Sequence, residues 1–268
     1  MPRTPTPSPQ MIQLEGPENN NGILWIKLNR PSSGNSLHPT LVSSLLSALR
    51  NADTDPVVKI IILTGNGRFF CTGMDLLSTP ELSFAPGDDF HQLNKILIST
   101  EKILIAAVNG PAIGFGATVL ALCDLVFAVP DAYFFTPFVK WGMVPEAASS
   151  VSFLRLMGHQ RAALLCLTGE RIGAEEAWSL GLVSKILPAE GFLGRVGEVA
   201  HGLARAPVGS LLQTKRLLKE SSMKDLLDAN DRECRVIVEE RIPSGDLQRE
   251  RAAFQAAQRE KERRKSVL

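Results

Sequence analysis

Apolar runs broken by polar, glycine-bearing turns fill the first part of the chain, and helical spacing takes over after about residue 192. Residues 23–28 (ILWIKL) and 57–63 (VVKIIIL) read as strands, the second apolar on both faces like a strand buried in a parallel sheet. Between them Asn29-Arg30-Pro31 and Ser32-Ser33-Gly34 form a loop. Thr40 is placed to cap a helix on which Leu41, Leu45, Ala48 and Leu49 share a face. Residues 103–108 (ILIAAV) form a third strand, which enters Asn109-Gly110, turns through Pro111, Gly114 and Gly116, and resumes at Val119 as a helix. Residues 125–129 and 133–135 read as two more strands.

Trp141 to Glu146 leads into AASSVSFLRLMG, a helix with Pro145 near its start, where a missing N–H costs nothing, and Gly158 at its end. Residues 161–168 and 174–180 read as helices, and beyond them only helical segments remain, at 194–205, 208–219, 224–238 and 246–265. The expected organisation is a disordered tail over residues 1–18, opening MPRTPTPSPQ, an α/β core over 19–191 and a helical region over 192–268. The last of these helices, QRERAAFQAAQREKERRK, reads as a solvated charged helix whose basic end can reach ligand phosphates.

Composition narrows the function mainly by exclusion. Lys+Arg 29 against Asp+Glu 28 leaves a net charge of +1, so no global field draws nucleic acid or an anionic membrane. Cys71, Cys123, Cys166 and Cys234 lie far apart, as do the histidines, so neither disulfides nor a metal site is expected. No apolar run approaches the roughly 20 residues of a membrane span, and the N-terminus lacks the apolar core of a signal peptide. The chain ends in Ser-Val-Leu, which departs in its middle residue from the peroxisomal address Ser-Lys-Leu; the expected compartment is the peroxisome, or otherwise the cytoplasm.

The chemistry gathers in two glycine turns, each directly behind a buried strand: residues 64–76 (TGNGRFFCTGMDL) and 109–124 (NGPAIGFGATVLALCD). Such turns leave backbone N–H groups unpaired and aimed at one point, which suits an oxygen carrying negative charge; a helix N-terminus behind the second would reinforce it. Neither turn has the spacing of a dinucleotide fingerprint, nor the lysine of a phosphate loop. Residues 77–89, with Pro80 and Pro86, read as an irregular flap over the substrate.

With both turns in view the sequence resembles the enoyl-CoA hydratase/isomerase, or crotonase, superfamily over residues 23–261. The resemblance is carried by Asn29-Arg30-Pro31, Phe70-Cys71-Thr72-Gly73-Met74-Asp75-Leu76, residues 107–114 (AVNGPAIG), Cys123-Asp124 and Gly181-Leu182-Val183. It implies an α/β spiral of ββα repeats with a C-terminal helical region that forms a homotrimer or hexamer. The ligand is an acyl-CoA thioester, CoA being part of the substrate rather than a cofactor. By position, the N–H groups of Met74 and Phe115 would form the oxyanion hole, and the side chains there would shape the acyl pocket.

The superfamily runs several reactions on one fold, so the acid and base residues must decide among them. Its hydratases use two glutamates flanking a water, and the matching positions here hold Thr118 and Phe138, which disfavours hydration. Residues 142–150 (GMVPEAASS) instead resemble peroxisomal-type Δ3,Δ2-enoyl-CoA isomerases, in which a single glutamate, here Glu146, moves the proton. Its helix position would lower the Glu146 pKa and its apolar neighbours would raise it; burial is expected to dominate.

The same resemblance places CoA, adenine end first, against Ser36 and Leu37 and along the backbone of Thr72, Gly73, Asp75 and Leu76. Gly114 and Phe138 would line the acyl site, and Lys215 or Lys261 would meet phosphates. Two other readings stay open: hydration or thioester hydrolysis on a base such as Asp75 or Glu170, and a non-catalytic acyl-CoA-binding member.

Overall fold

The computed structural model describes residues 10–17, 21–77, 79 and 81–265, without the side chains of residues 262, 264 and 265. The terminal Ser-Val-Leu, Pro80, residue 18 and residues 1–9 of the expected tail lie outside that set. Within the expected tail, however, Ile12–Glu15 is a strand (β1), antiparallel to β2 (Ile23–Leu28) with Ile12 opposite Leu28. Ile12 is the residue of β1 that is buried. A four-residue strand on a sheet edge, mostly solvent-facing, shows too little alternation to be read from sequence.

After β2 comes α1 (Pro39–Thr54), with Leu41, Leu45, Ala48 and Leu49 buried as their spacing requires. Its cap is His38 rather than Thr40: the imidazole accepts the Thr40 N–H, and Pro39 occupies the first helical position. The next strand, β3, is Ile60–Gly65, shifted toward the glycine turn, and β4 is Ile103–Val108. Both are buried at every position, and β2, β3 and β4 run parallel in register, with Ile26 beside Leu63 and Leu63 beside Ala106. Between them lies α2 (Asp89–Ser99), which the sequence reading did not anticipate because its charged start merges with the irregular segment before it.

From β4 the chain makes β5 (Ala112–Ile113), the short α3 (Phe115–Thr118), a 3-10 turn, β6 (Leu125–Ala128) and β7 (Tyr133–Phe135). α4 (Ser149–Met157) and α5 (His159–Ala163) follow, α5 running on as a π-helical turn over Leu164–Thr168. β8 (Ile172–Gly173), α6 (Ala174–Ser179) and β9 (Lys185–Ile186) complete the α/β part. The main sheet has the order β1-β2-β3-β4-β6-β9, and a second layer has the order β5-β7-β8. β4 and β6 are followed by β5 and β7 of the second layer, and the segments after β2 and β3 join it through isolated bridges, Leu37 with Met74 and Cys71 with Ala112, which builds the expected ββα spiral and brings the glycine turns together.

The remainder is helical: α7 (Phe192–Ala204), α8 (Val208–Val236) and α9 (Asp246–Lys265). α8 is continuous where the sequence reading breaks it between residues 219 and 224; Glu220-Ser221-Ser222-Met223 contains neither glycine nor proline to stop it. Among the described residues no helix is long and apolar enough to cross a membrane, and no group of three metal-ligating side chains occurs.

Candidate active site

The two glycine turns meet. Ile113 N–H donates to the Cys71 carbonyl at 2.8 Å, Leu37 N–H to the Gly73 carbonyl at 2.7 Å, and Gly114 N–H to the Phe135 carbonyl at 3.0 Å. Gly73 and Gly114 take left-handed φ values of 76° and 55°, which a side chain resists. A Cβ on Gly73 would lie 2.9 Å from the Ile113 carbonyl oxygen and 3.4 Å from the Phe115 nitrogen, and one on Gly116 would lie 2.2 Å from the Cys71 carbonyl oxygen. The glycines are therefore demanded by close approach as well as by torsion.

This contact places Met74 and Phe115 together on the wall of a cavity of about 400 Å³. Among the described residues neither backbone N–H donates to a protein acceptor. Phe115 opens α3, so its N–H is free of the helical ladder; α3 has only four residues, so its dipole adds less than a long helix would. The cavity wall is mainly apolar, with Phe84, Phe90, Phe135 and Phe138 prominent, and Trp141 packs edge-on to Phe254 of α9 at 5.5 Å.

Glu146 is the single carboxylic acid among the described residues that line this cavity. It is 6% exposed. The Thr118 hydroxyl donates to its Oε1 at 2.8 Å, while Oε2 has no partner among the described residues. Burial pushes the Glu146 carboxyl up to about 8, the Thr118 hydrogen bond opposes this, and the nearby Glu233 adds to it. Burial thus outweighs the stabilising contact, as expected. The helix expected at Pro145 starts later, at Ser149, so Glu146 occupies no first helical turn. Ala147 and Ala148 both take positive φ and turn the chain before the helix can start.

Of the other residues named from sequence, Leu37, Thr72, Gly73, Leu76, Gly114 and Phe138 line the cavity. Ser36 and Asp75 do not. Both are bound by Arg30, whose guanidinium donates to the Ser36 carbonyl at 2.6 Å and pairs with Asp75 at 2.8 Å. Their role is to brace the first turn from behind. Glu170 lies on a separate surface depression with Arg161 and Glu176, so neither alternative base reaches the cavity.

Lys215 is not available to a phosphate. It is buried in a pair with Asp124 at 2.8 Å and hydrogen-bonded to the Lys102 carbonyl, and burial lowers its pKa to about 8. Asp124 also accepts the Leu104 N–H at 2.7 Å, so the expected phosphate ligand instead ties α8 to the start of β4. Lys261 is exposed on α9, outside the cavity lining.

α9 is less solvated than its composition suggests. Arg251, only 9% exposed, and Gln255 both donate to the Leu76 carbonyl, at 2.9 and 2.8 Å, and Arg251 also pairs with Glu81. The charged helix therefore braces the segment next to Met74. Sequence reasoning also missed Glu233 on α8, which accepts the Ala148 and Ser150 N–H groups at 2.7 and 2.8 Å. No spacing pattern signals a contact between segments so far apart in the chain.

Comparison with known proteins points to one family. The family model described as enoyl-CoA hydratase/isomerase matches residues 18–265. The chain is 34% identical over 230 residues to enoyl-CoA delta isomerase 3, peroxisomal, of Mus musculus, covering 83% of this chain and 72% of the relative. It is 35% identical over 201 residues to 2,3-dehydroadipyl-CoA hydratase of Escherichia coli, covering 74% and 79%. The crystal structure of an enoyl-CoA hydratase/isomerase from Pseudoalteromonas atlantica superimposes with a TM-score of 0.85 at 31% identity, covering 92% of this chain and 98% of the other.

Proposed function

The chain belongs to the enoyl-CoA hydratase/isomerase family, and we propose that within it this protein moves a double bond of an enoyl-CoA from the 3 to the 2 position. The observation that carries this reading is Glu146: one carboxyl, buried with a pKa raised to about 8, in a cavity whose wall presents the Met74 and Phe115 N–H groups.

The ionised Glu146 takes a proton from C2 of a 3-enoyl thioester. The C–H electrons form the C2–C1 double bond of a dienolate, and the negative charge falls on the thioester oxygen between the Met74 and Phe115 N–H groups. Such donors are worth on the order of 10²–10³ in rate each. Glu146 then returns the proton at C4, the electrons settle as the C2–C3 double bond, and the base is restored. A carboxyl with a pKa near neutrality both takes and returns a proton readily.

Two-carboxylate hydration finds less support. Thr118 and Phe138 stand at the positions matching the two hydratase glutamates; Thr118 donates its hydroxyl to Glu146, and Phe138 lines the cavity with an apolar ring. In the same reading CoA enters past Leu37 and Thr72, and the C-terminal helices mediate a trimer or a dimer of trimers. The terminal Ser-Val-Leu would direct the protein to peroxisomes, a localisation tested by imaging a fluorescent fusion with and without that tripeptide.

The deciding experiment follows the ultraviolet absorbance of the conjugated 2-enoyl thioester when purified protein meets a 3-enoyl-CoA, with Glu146→Gln beside it. Conjugation by the native protein and its loss in the variant is the expected result. Binding of acyl-CoA without conjugation overturns the isomerase reading and leaves another reaction of the family, or a binding role.

A further inference from the structure

We propose that Glu233 is a positioning residue for Glu146: by gripping the backbone just beyond it, Glu233 fixes where the Glu146 carboxyl stands in the cavity. The inference rests on the reading of Glu146 as the base. Glu233 itself is outside the cavity lining, so it acts through Glu146 and not on the substrate.

The grip is needed because of the turn that follows Glu146. Ala147 and Ala148 have φ values of 56° and 59°, a left-handed conformation that residues with a Cβ avoid and that persists only where surrounding contacts over-determine it. α4 starts immediately afterwards, and its N-cap residue, Ala148, has no side chain able to accept the orphan N–H groups of the first turn. Glu233 supplies the missing cap from another helix. Its Oε2 accepts the Ala148 N–H at 2.7 Å and its Oε1 the Ser150 N–H at 2.8 Å, one carboxylate oxygen for each donor. The turn is thus held at its far end by α8, while Thr118 of α3 holds the Glu146 carboxyl at its near end.

Charge couples the same two residues. Glu233 raises the Glu146 pKa, and burial raises that of Glu233 against its bonds to Ser150 and Ala148 and the nearby Arg232. The other titratable groups coupled to the pair are thiols, Cys71 of the first glycine turn, Cys166 beyond α5 and Cys234 of α8; Asp231 acts on Cys234 and is bound to His91. Burial pushes those three thiols up to about 11 or 12, so they stay neutral across the working range. A change in the Glu146 titration on removing the Glu233 charge is therefore traceable to Glu233.

Glu233→Gln and Glu233→Asp test this with two readouts: the pH dependence of isomerisation, and titration of the Glu146 carboxyl by ¹³C NMR in glutamate-labelled protein. Glutamine keeps one acceptor and loses the charge. The expected result is a kcat lower by about ten- to a hundredfold with KM little changed, and a Glu146 carboxyl that titrates below its native value. Aspartate keeps the charge but reaches one N–H at most, so kcat falls while the titration stays near native. A native kcat and native titration in Glu233→Gln overturns the proposal. If Glu233→Gln does not fold, a native kcat in Glu233→Asp overturns it. If the native protein does not isomerise at all, the reading of Glu146 fails, and the NMR titration still decides the coupling: an unmoved Glu146 in Glu233→Gln overturns it.

Discussion

Thr118 and Glu146 form a buried hydrogen-bonded pair, Oγ1 to Oε1 at 2.8 Å, across the gap between α3 and the turn that precedes α4. The bond favours the ionised carboxylate in a setting where burial disfavours it. One carboxylate oxygen is thereby fixed, and the other, Oε2, has no partner among the described residues.

Thr118→Val removes that bond without opening a cavity. The Glu146 pKa then moves further up from about 8, so less carboxylate is present at neutral pH. The rate at pH 7 is expected to drop by about tenfold, and the deficit to shrink as pH rises past the new pKa. A pH–rate profile identical to that of the native enzyme would contradict this role.

Glu146→Gln is expected to abolish conjugation, by about 10²–10⁴ for loss of a general base, while altering stability in the opposite direction. The folded-state pKa of Glu146 is raised from 4.5 to about 8, so the folded protein binds the proton more tightly than the unfolded chain. Its stability contribution is fully present below the unfolded value and is lost as pH rises through the folded one. Glutamine titrates nowhere, so the Tm of the variant should exceed that of the native protein above pH 8 and converge with it near pH 4. Parallel melting temperatures across that range would show that Glu146 is not buried as described.

Gly73→Ala separates the two turns. Its Cβ would press on the Ile113 carbonyl oxygen at 2.9 Å in a backbone with φ 76°, so Met74 and Phe115 cannot keep their relative placement. The expected loss is on the order of 10²–10³ in kcat, the cost of one misplaced oxyanion donor. Isothermal titration with a saturated acyl-CoA checks that binding suffers much less than turnover.

Lys215→Met distinguishes a structural cation from a phosphate ligand. Removing it leaves Asp124 with Lys219 at 3.8 Å as its remaining cationic partner, so the variant should be less stable by a few kcal/mol, about 3 for a broken buried pair. KM for acyl-CoA should stay within about twofold, since no binding interaction is lost. A large rise in KM with unchanged Tm would restore the phosphate role.

The strands of the parallel sheet and the two glycine turns were legible from residue order alone, because burial on both faces demands unbroken apolar runs and close backbone approach demands glycine. The same local logic gave α1 its buried face, whereas Glu146, Met74 and Phe115 were singled out by the resemblance to the family and not by spacing. β1 and α2 escaped it, one for its shortness at a sheet edge and the other for a polar start. What only the tertiary structure decided were the long-range pairings. Lys215 with Asp124, Arg30 with Asp75 and Glu233 with the N-terminus of α4 depend on which surfaces the spiral and the helical region bring together. A charged side chain looks the same in sequence whether water or a buried carboxylate receives it. Its desolvation and its partner are set by packing, and no residue spacing records them.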